Sequence, residues 1–410
     1  MSICKKLILS LLILSLLCGC STTASDSAAE APTTEAPSTE VPTTEVPVTE
    51  ITIDTSYVIV ADGDDTVQQA ALCLQATLSN KMNLSSLLIT DKEESKKAII
   101  LNTDSSLESG AYRFALEGRS LLITASDSQV LLYAVKQLRQ AMSDNDNSAK
   151  ITQELCGSLS GVTEQLPFTF ISQNILFKNI EGGNTVNNRA PRFKQLMAEY
   201  APDILALQEN SDDWRFHFSR FFSDTYFSTN NNNVTFFFRK DRYELVEKGF
   251  FYLSPTPDMR SQFPGDSGPR SCCWAIVTDK STGKDLFVCD AHLDWNNDTQ
   301  RALQLEVMIE QLSSYFAQYP TIACGDYNSP PDGPIYARIT QLLTDSQVSA
   351  QKDLSTVDFT YHGFGEAAST IDYVLHNQLL SPDLYYILSD DYEGYVSDHY
   401  GVMTVFQFND

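Results

Sequence analysis

The chain has few basic residues for its size. Its 410 residues include 28 lysines and arginines against 53 aspartates and glutamates, which gives a formal net charge of −25. Tight, nonspecific binding to nucleic acid depends on clustered Lys and Arg side chains that neutralise phosphates. The composition therefore argues against a general nucleic-acid-binding protein, although a bound metal ion can still supply local positive charge.

The sequence also lacks a long apolar run beyond its N-terminus, so no membrane-spanning helix is expected there. At the N-terminus, Lys5 and Lys6 precede a short apolar run with the layout of a signal peptide. The run ends in Leu17-Cys18-Gly19-Cys20, which resembles a bacterial lipobox. The resemblance implies a lipoprotein signal peptide over residues 1–20, with cleavage before Cys20 and diacylglycerol on its sulfur. An ordinary secretory signal is the alternative. We expect an extracytoplasmic protein anchored to the bacterial cell membrane through lipid on Cys20.

Cysteine spacing typical of zinc sites is missing, because no CxxC pair or Cys/His cluster occurs. Cys289 and Cys324 lie in apolar, strand-like runs, so we expect buried free thiols there. Export permits disulfides, and a bridge between Cys73 and Cys156 therefore stays open.

Residues 21–50 are rich in Thr, Pro, Ala and Glu and repeat a Glu-x-Pro unit, as in Glu40-Val41-Pro42. Proline blocks helix and ladder hydrogen bonds, and the glutamates repel one another. This composition predicts a disordered, extended stalk that holds the folded part away from the membrane.

Residues 51–155 have the pattern of a small α+β domain. The predicted elements include a strand at Ile51–Ala61, a helix at Thr66–Lys81, a hairpin at Tyr112–Ala125 and a helix capped by Ser126-Asp127. The pattern resembles the small accessory domain that precedes the catalytic barrel in some glycoside hydrolases. No cluster of polar residues in it suggests chemistry, so we interpret it as a spacer or docking module.

After a linker predicted at residues 156–165, residues 166–410 form a second domain. Many short strand-like runs are separated by Asn, Gly, Pro and Asp clusters, and helical patterns occur at Pro191–Tyr200 and Thr299–Ala317. This pattern is typical of two packed sheets with helices outside. The predicted fold class is α+β, a four-layer α/β/β/α sandwich preceded by a small α+β accessory domain.

Polar residues follow several of the predicted strands in the second domain. Because side chains alternate along a strand, His292 and Asp294 share one face, and so do Asp326 and Asn328. Asp372 lies inside an apolar strand, where an unpaired carboxylate is costly to bury. A single polar strand end is ordinarily a turn former, so the functional interpretation depends on their joint occurrence.

These motifs, in this order, resemble the endonuclease/exonuclease/phosphatase superfamily, which includes pancreatic-type deoxyribonucleases, abasic-site endonucleases, inositol-phosphate phosphatases and bacterial sphingomyelinases. The resemblance covers essentially all of residues 166–410. It implies phosphoester hydrolysis assisted by a divalent metal ion. The motifs that carry it are Gln208-Glu209, His292-Leu293-Asp294, Gly325-Asp326-Tyr327-Asn328, Ile371-Asp372 and Ser397-Asp398-His399.

The resemblance implies a Mg²⁺ (or Mn²⁺) site, since hard cations prefer oxygen ligands. Glu209 is the expected principal ligand, and Asn174 and Asp398 complete or orient the site. Arg270 is placed where relatives often contact the substrate phosphate, although a solvated surface arginine is an equally good interpretation. Asp294 is assigned near the same phosphate, where it orients His292 or reaches the metal.

The same resemblance implies the catalytic roles. Asp326 positions or deprotonates the attacking water, with Asn328 holding water or phosphate beside it. His399 contacts the phosphoryl oxygens, and Asp372 fixes its tautomer. His292 is a candidate general acid.

The sequence departs from close relatives directly after His292-Leu293-Asp294. Many of them continue with another histidine, whereas this chain has Trp295-Asn296-Asn297. The loop is expected at the mouth of the substrate site. The departure therefore puts the identity of the substrate in doubt, but not the hydrolysis.

Three hypotheses follow. The first is a phosphodiesterase or nuclease that acts outside the cell on a phosphoester substrate such as nucleic acid. The second is a phosphomonoesterase acting on inositol phosphates or similar small molecules. The third, a non-catalytic binding lipoprotein on the same scaffold, is disfavoured because every expected acidic, amide and imidazole position is filled. No protein partner is indicated, and we expect a monomer.

Overall fold

The computed structural model of the protein describes residues 48–84, 87–92, 97–180, 182–230 and 232–409. The expected signal peptide, Cys20 and the stalk up to residue 47 lie outside the described residues. Among the residues that are described, no helix has both the length and the apolar character needed to cross a membrane.

The first folded domain, called here the accessory domain, contains two sheets and three helices. Its elements are β1 (Glu50–Thr52), β2 (Val58–Ala61), α1 (Asp65–Met82), β3 (Leu88–Thr90), β4 (Ala98–Thr103), β5 (Ala111–Glu117), β6 (Ser120–Ala125), α2 (Ser128–Asp144), β7 (Lys150–Thr152), α3 (Gln153–Leu159) and β8 (Gly161–Val162). The larger sheet has the strand order β3-β2-β4-β6-β5-β8, and β1 pairs separately with β7.

Aspartate side chains begin both long helices of the accessory domain. Asp64 caps α1 and Asp127 caps α2, each accepting two backbone N–H bonds from the first helical turn. The apolar faces of both helices pack with the larger sheet into one core, which includes Leu74 and Leu131. The predicted helices and hairpin of this α+β domain are all present.

The structure differs from the prediction at residues 156–165, which were expected to form a linker. Cys156 is buried in the accessory core, and β8 pairs with β5 in the register Ala111↔Val162. These residues therefore complete the accessory domain. Their polar, Gly- and Ser-containing sequence belongs to a short helix and a short edge strand.

The six cysteines in the described part of the chain are all free and buried. The predicted buried thiols at Cys289 and Cys324 are present. Cys73 and Cys156 are not bridged, and the Cys73 thiol instead donates to the backbone carbonyl of Glu199 at 3.1 Å.

The second folded domain, called here the sandwich domain, follows directly. Its elements are β9 (Phe168–Asn174), α4 (Val186–Tyr200), β10 (Ile204–Gln208), α5 (Asp212–Phe221), β11 (Tyr226–Ser228), β12 (Thr235–Arg239), β13 (Tyr243–Tyr252), β14 (Ser271–Asp279), β15 (Asp285–His292), α6 (Asp298–Gln318), β16 (Thr321–Asp326), α7 (Pro334–Ile339), β17 (Thr344–Asp345), α8 (Ser346–Ser349), β18 (Lys352–Asp353), a 3-10 turn (Gly363–Gly365), β19 (Asp372–His376), β20 (Leu380–Leu388) and β21 (Gly401–Phe408).

Two sheets face each other in this domain. One has the order β11-β12-β10-β9-β21-β20-β18, and the other has the order β13-β14-β15-β16-β19-β17. Apolar side chains such as Phe170 and Val288 fill the space between them. A second apolar layer joins α6 and α7 to the six-stranded sheet, and a third joins α4 and α5 to the seven-stranded sheet. The predicted four-layer sandwich is therefore confirmed.

Buried charged side chains join the two domains. Lys136 of α2 donates to the carboxylate of Asp203 and to the hydroxyl of Thr169, both at 3.2 Å. Arg239 donates to the same carboxylate at 3.2 Å, and Arg242 lies 3.5 Å from it. The accessory domain is thus packed against the sandwich domain through specific polar contacts.

Gly325 is expected to tolerate no side chain. A Cβ atom there would lie 1.9 Å from the carbonyl oxygen of Ala291 on the adjacent strand β15, and the residue has a φ of 137°. Gly325→Ala should therefore lower the free energy of unfolding by about 3 kcal/mol. Urea unfolding followed by circular dichroism measures this. The control is Gly157→Ala in α3, where no atom lies within 4 Å of the added Cβ. Equal stability of the two variants would contradict the prediction.

Asp203→Asn is expected to destabilise the fold by about 3 kcal/mol at neutral pH, because Lys136, Arg239 and Arg242 lose their shared carboxylate. Burial alone would raise the pKa of Asp203, but Lys136, Arg242 and Arg239 outweigh it and lower the pKa. A lowered folded-state pKa contributes stability above the unfolded pKa of about 4 and loses it as pH falls.

Urea unfolding at pH 7 and pH 3 tests this account. The loss of stability on acidification should be smaller in Asp203→Asn than in the wild type. Asp332→Asn, which changes an exposed aspartate, should retain the full acid dependence. An unchanged acid dependence in Asp203→Asn would show that the carboxylate does not stabilise the domain contact.

Candidate active site

Strand register brings the predicted polar residues to one edge of the sandwich. Asn174 pairs with Gln208 across β9 and β10. Asp326 pairs with His292 on one side and with Asp372 on the other. Because register fixes which side chains adjoin, residues far apart in the sequence meet at this edge.

Asn174 connects the carboxylates of the two sheets. Its side-chain amide donates to Asp326 Oδ2 at 2.9 Å and lies 3.3 Å from Glu209 Oε1. The other oxygen of Glu209 accepts the backbone N–H of Phe177 at 2.9 Å. Glu209, Asn174 and Asp326 therefore form one connected group at the sheet edge.

Two residues of the site have left-handed backbone conformations. Glu209 has a φ of 61° and Asn328 a φ of 49°. Such conformations are uncommon outside glycine and are concentrated at functional sites. Asn328 is fixed by bonds from its backbone N–H to Asp326 Oδ1 at 2.9 Å and from its amide to the Leu293 carbonyl at 3.0 Å. Both side chains line the same cleft.

His399 is oriented by a buried carboxylate. Its Nδ1 lies 2.8 Å from Asp372 Oδ2, which also accepts the hydroxyl of Thr360 at 2.6 Å. Its Nε2 faces Asp326 Oδ2 at 3.8 Å and Asp398 Oδ1 at 4.0 Å. Burial alone would lower the pKa of His399, but these carboxylates outweigh it and raise the pKa to about 10. The surrounding carboxylates therefore favour the protonated form of the imidazole.

Asp326 lies at the centre of the site. Burial and the nearby Asp372 carboxylate raise the pKa of Asp326 to about 7, against the opposing effect of His399. A carboxyl group with a pKa near neutrality can accept a proton and release it again. Asp326 is thus suited to proton transfer.

His292 faces Asp326 on one side and Arg270 on the other. Its Nε2 lies 3.5 Å from Asp326 Oδ2 and 2.9 Å from the Arg270 guanidinium. Burial, together with Arg270 and His399, holds the pKa of His292 well below its usual range. Since a guanidinium only donates, Nε2 of the neutral ring accepts from Arg270 and the ring proton is on Nδ1.

Asp294 is not on the wall of the cleft. It is fully buried behind Arg270, with Oδ2 accepting the backbone N–H and hydroxyl of Ser267 at 2.8 and 2.5 Å. The Nε atom of Arg270 lies 3.6 Å from the same oxygen. The geometry therefore makes Asp294 a support for Arg270.

The site opens into a cleft of about 710 Å³. Glu209, Asp326 and Asp398 give it three carboxylates, whereas Lys178 and Arg270 are its only lysine and arginine among the described residues. Carboxylates gathered at one cleft repel one another unless a cation lies between them.

Arg189 organises the loops around the cleft, and the sequence analysis did not identify it. The side chain is fully buried. Its only sequence signal is its position on the buried face of α4, one turn from Val186 and Phe193. Its guanidinium donates to the backbone carbonyls of Ile175, Leu176, Lys178, Asn184 and Val396.

A four-layer sandwich with acid, amide and imidazole side chains at one edge defines the class of hydrolase that the sequence motifs indicated. The sequence profile of the endonuclease/exonuclease/phosphatase family matches residues 172–399, which is more than half of the chain. The chain belongs to this family and is a phosphoester hydrolase.

Solved structures show the same fold. An endonuclease/exonuclease/phosphatase family protein from Bacteroides thetaiotaomicron is 23% identical and has a TM-score of 0.55, and the match covers 60% of this chain and 100% of that one. A mannosyl-6-phosphatase from the same species is 23% identical with a TM-score of 0.54, covering 59% and 100%. A family protein from Bacteroides vulgatus is 22% identical with a TM-score of 0.53, covering 59% and 99%.

The accessory domain has a match of its own. The profile described as glycosyl hydrolase family 20, domain 2, matches residues 41–155, which confirms the resemblance to a glycoside-hydrolase accessory domain. No curated protein matches the chain.

Arg189→Lys is expected to lower both stability and activity. A lysine has fewer donors and no planar fork, so buried carbonyls of the cleft loops lose their partners, at a cost of about 1–3 kcal/mol. Thermal unfolding and steady-state kinetics on p-nitrophenyl phosphate or its bis ester measure the two effects. Arg220→Lys, at an exposed position in α5, is the matched control. Wild-type kinetics in Arg189→Lys would contradict the assigned role.

Proposed function

We propose that the protein is a divalent-metal-dependent hydrolase of small phosphate esters. The observation that carries this proposal is the meeting of Asn174, Glu209, Asp326 and His399 at one cleft. The reaction joins a water oxygen to phosphorus and breaks the phosphorus–oxygen bond of the ester, releasing phosphate and an alcohol.

The residues at the cleft suit Mg²⁺ or Mn²⁺. Glu209 and Asp398 offer carboxylate oxygens, and Asn174 holds Glu209 in place by its amide. Asp326, Asp372 and His399 also have ligand atoms within 4.8 Å of one another. In that second group Asp372 is already bonded to His399 and Thr360, so we favour the site centred on Glu209. The metal, when bound, would neutralise charge on the phosphoryl and leaving oxygens.

Three side chains would transfer protons in this reaction. Asp326 accepts a proton from the attacking water, and Asn328 beside it orients that water. The charged ring of His399 donates to a phosphoryl oxygen through Nε2, because Nδ1 is directed to Asp372. His292, whose Nε2 lies 3.5 Å from Asp326 Oδ2, is the candidate general acid for the leaving oxygen.

Two features favour a small ester over a nucleic acid. The chain has a net charge of −25, and the described lining of the cleft contains just Lys178 and Arg270 as lysine and arginine. Polyanion binding requires many more phosphate contacts. One fold relative is itself named a mannosyl-6-phosphatase, so this fold accommodates a small ester. The sequence analysis named a phosphodiesterase or nuclease as its first hypothesis. That activity is the second candidate here, because the same catalytic group suits diesters.

We also propose that the enzyme acts outside the cytoplasm as a lipoprotein anchored through Cys20. The lipobox-like Leu17-Cys18-Gly19-Cys20 supports this. Cys20→Ala should abolish labelling by a radioactive or clickable fatty acid in a bacterial host, whereas Cys18→Ala should retain it. Labelling that survives Cys20→Ala contradicts the anchor.

Metal removal and Glu209→Gln test the catalytic proposal. Purified protein should hydrolyse p-nitrophenyl phosphate or another ester of a panel that includes sugar phosphates, inositol phosphates, diesters, DNA, RNA and sphingomyelin. EDTA should abolish activity, and Mg²⁺ or Mn²⁺ should restore it. Glu209→Gln keeps the size of the side chain but removes its charge, so kcat should fall by about 100-fold or more.

The control is Glu244→Gln, which changes an exposed glutamate on β13. It should keep wild-type activity and the same dependence on metal. Activity that resists EDTA would exclude metal assistance, and failure to hydrolyse any ester of the panel would reject the proposed function.

A further inference from the structure

Trp295 is the one exposed tryptophan among the three of the chain. It is 64% exposed, whereas Trp214 is fully buried and Trp274 packs against Phe287 and Tyr315. Exposing an indole ring forgoes the large stabilisation that its burial gives, so an exposed tryptophan at a cleft requires an explanation. Trp295 lines the same cleft as Arg270 and the catalytic residues.

The loop that carries Trp295 is fixed on both sides. Asp294 Oδ1 accepts the backbone N–H of Asn296 at 2.7 Å, and Arg301 donates to the Asp294 carbonyl at 3.1 Å. Asn296 also donates through its side chain to the Gly265 carbonyl at 3.1 Å, and Asn297 begins α6 as its cap. The backbone is thus held in place while the ring stays in solvent. An exposed ring on a backbone that is held in place is available for a ligand to stack on.

A second exposed aromatic residue lines the cleft from the other sheet. Phe177 is 49% exposed and follows β9, whereas Trp295 follows β15. Its backbone N–H is bonded to Glu209, which ties its position to the catalytic group. Polar side chains also line the cleft, among them those of Ser211 and Asn233. The cleft therefore combines aromatic faces with groups that hydrogen-bond to hydroxyls.

We propose that Trp295 is the platform of a sugar subsite, and that the substrate is a phosphorylated carbohydrate whose ring stacks on the indole. This inference rests on the proposed function, since the catalytic group fixes where the phosphate lies. A sugar ring has an apolar C–H face that suits an aromatic surface and hydroxyls that suit serine and asparagine. A nucleobase would also stack, so a nucleoside monophosphate is the competing ligand in the test.

Steady-state kinetics with three esters tests the proposal: glucose 6-phosphate, the acyclic glycerol 3-phosphate and a nucleoside monophosphate. Trp295→Ala should raise KM for glucose 6-phosphate about tenfold with little change in kcat, because stacking contributes to binding and not to bond cleavage. The kinetics on glycerol 3-phosphate should stay within about twofold of wild type. Trp295→Phe should recover most of the loss.

Met259→Ala is the matched control, because Met259 is 63% exposed and does not line the cleft. It should leave all three substrates unchanged. An equal effect of Trp295→Ala on the cyclic and acyclic esters, or no effect on either, would overturn the subsite. A larger loss for the nucleoside monophosphate than for glucose 6-phosphate would overturn the choice of a sugar.

Failure of the subsite can be distinguished from failure of the proposed function. If the wild type hydrolyses esters with Mg²⁺ but Trp295→Ala is not selective, only the subsite is rejected. If the wild type hydrolyses no ester, the proposed function is rejected. Binding of glucose 6-phosphate, measured by calorimetric titration, then tests the subsite alone. Binding that is about tenfold weaker in Trp295→Ala would support it, and equal or undetectable binding would overturn it.

Discussion

The site depends on the hydrogen bond from Asn174 to Asp326, because this bond joins the polar ends of the two sheets. A second polar contact lies behind it, where Gln208 donates to Asp290 Oδ1 at 2.7 Å inside the apolar core. Burial raises the pKa of Asp290 well above its usual range. An acid–amide pair thus joins the two sheets inside the core, while the other carboxylates gather at the solvent edge.

The sequence was sufficient to predict most of this edge. Several of these strands have an apolar run that ends in an amide, imidazole or acid, as at Asn174, His292 and Asp326, and the alternation of side chains determines which residues share a face. The pairing of Asp372 with His399 followed from a family resemblance and is present at 2.8 Å. The placement of Asp294 behind Arg270 was not predictable, since it depends on a bond to Ser267 from a loop without a regular pattern.

Helix α5 and the role of Arg189 were not predicted from the sequence. Helix α5 was not predicted, because its sequence is dense in Phe, Trp and His, which have low helix propensity. Arg189 was missed for another reason. Its partners are backbone carbonyls, and every residue has a carbonyl, so no side-chain motif marks a guanidinium that holds loops together. In the accessory domain, by contrast, the sequence pattern predicted the α+β elements. The charged contact of Lys136 with Asp203 was not predicted, because it depends on tertiary packing.

Charge balance at the cleft connects these features to function. Asp326, Asp398 and Glu209 surround one opening, while His399 has a raised pKa because carboxylates face it on several sides. Such a group of anions repels a phosphate unless cations lie nearby, and this charge balance supports the proposed metal-assisted chemistry. Arg270 is the one arginine of the described cleft, and Asp294 behind it partly offsets its charge. Under the proposed function, the cleft has enough positive charge for a single phosphoryl group with its metal, and uncharged contacts, such as the one proposed for Trp295, would select the rest of the substrate.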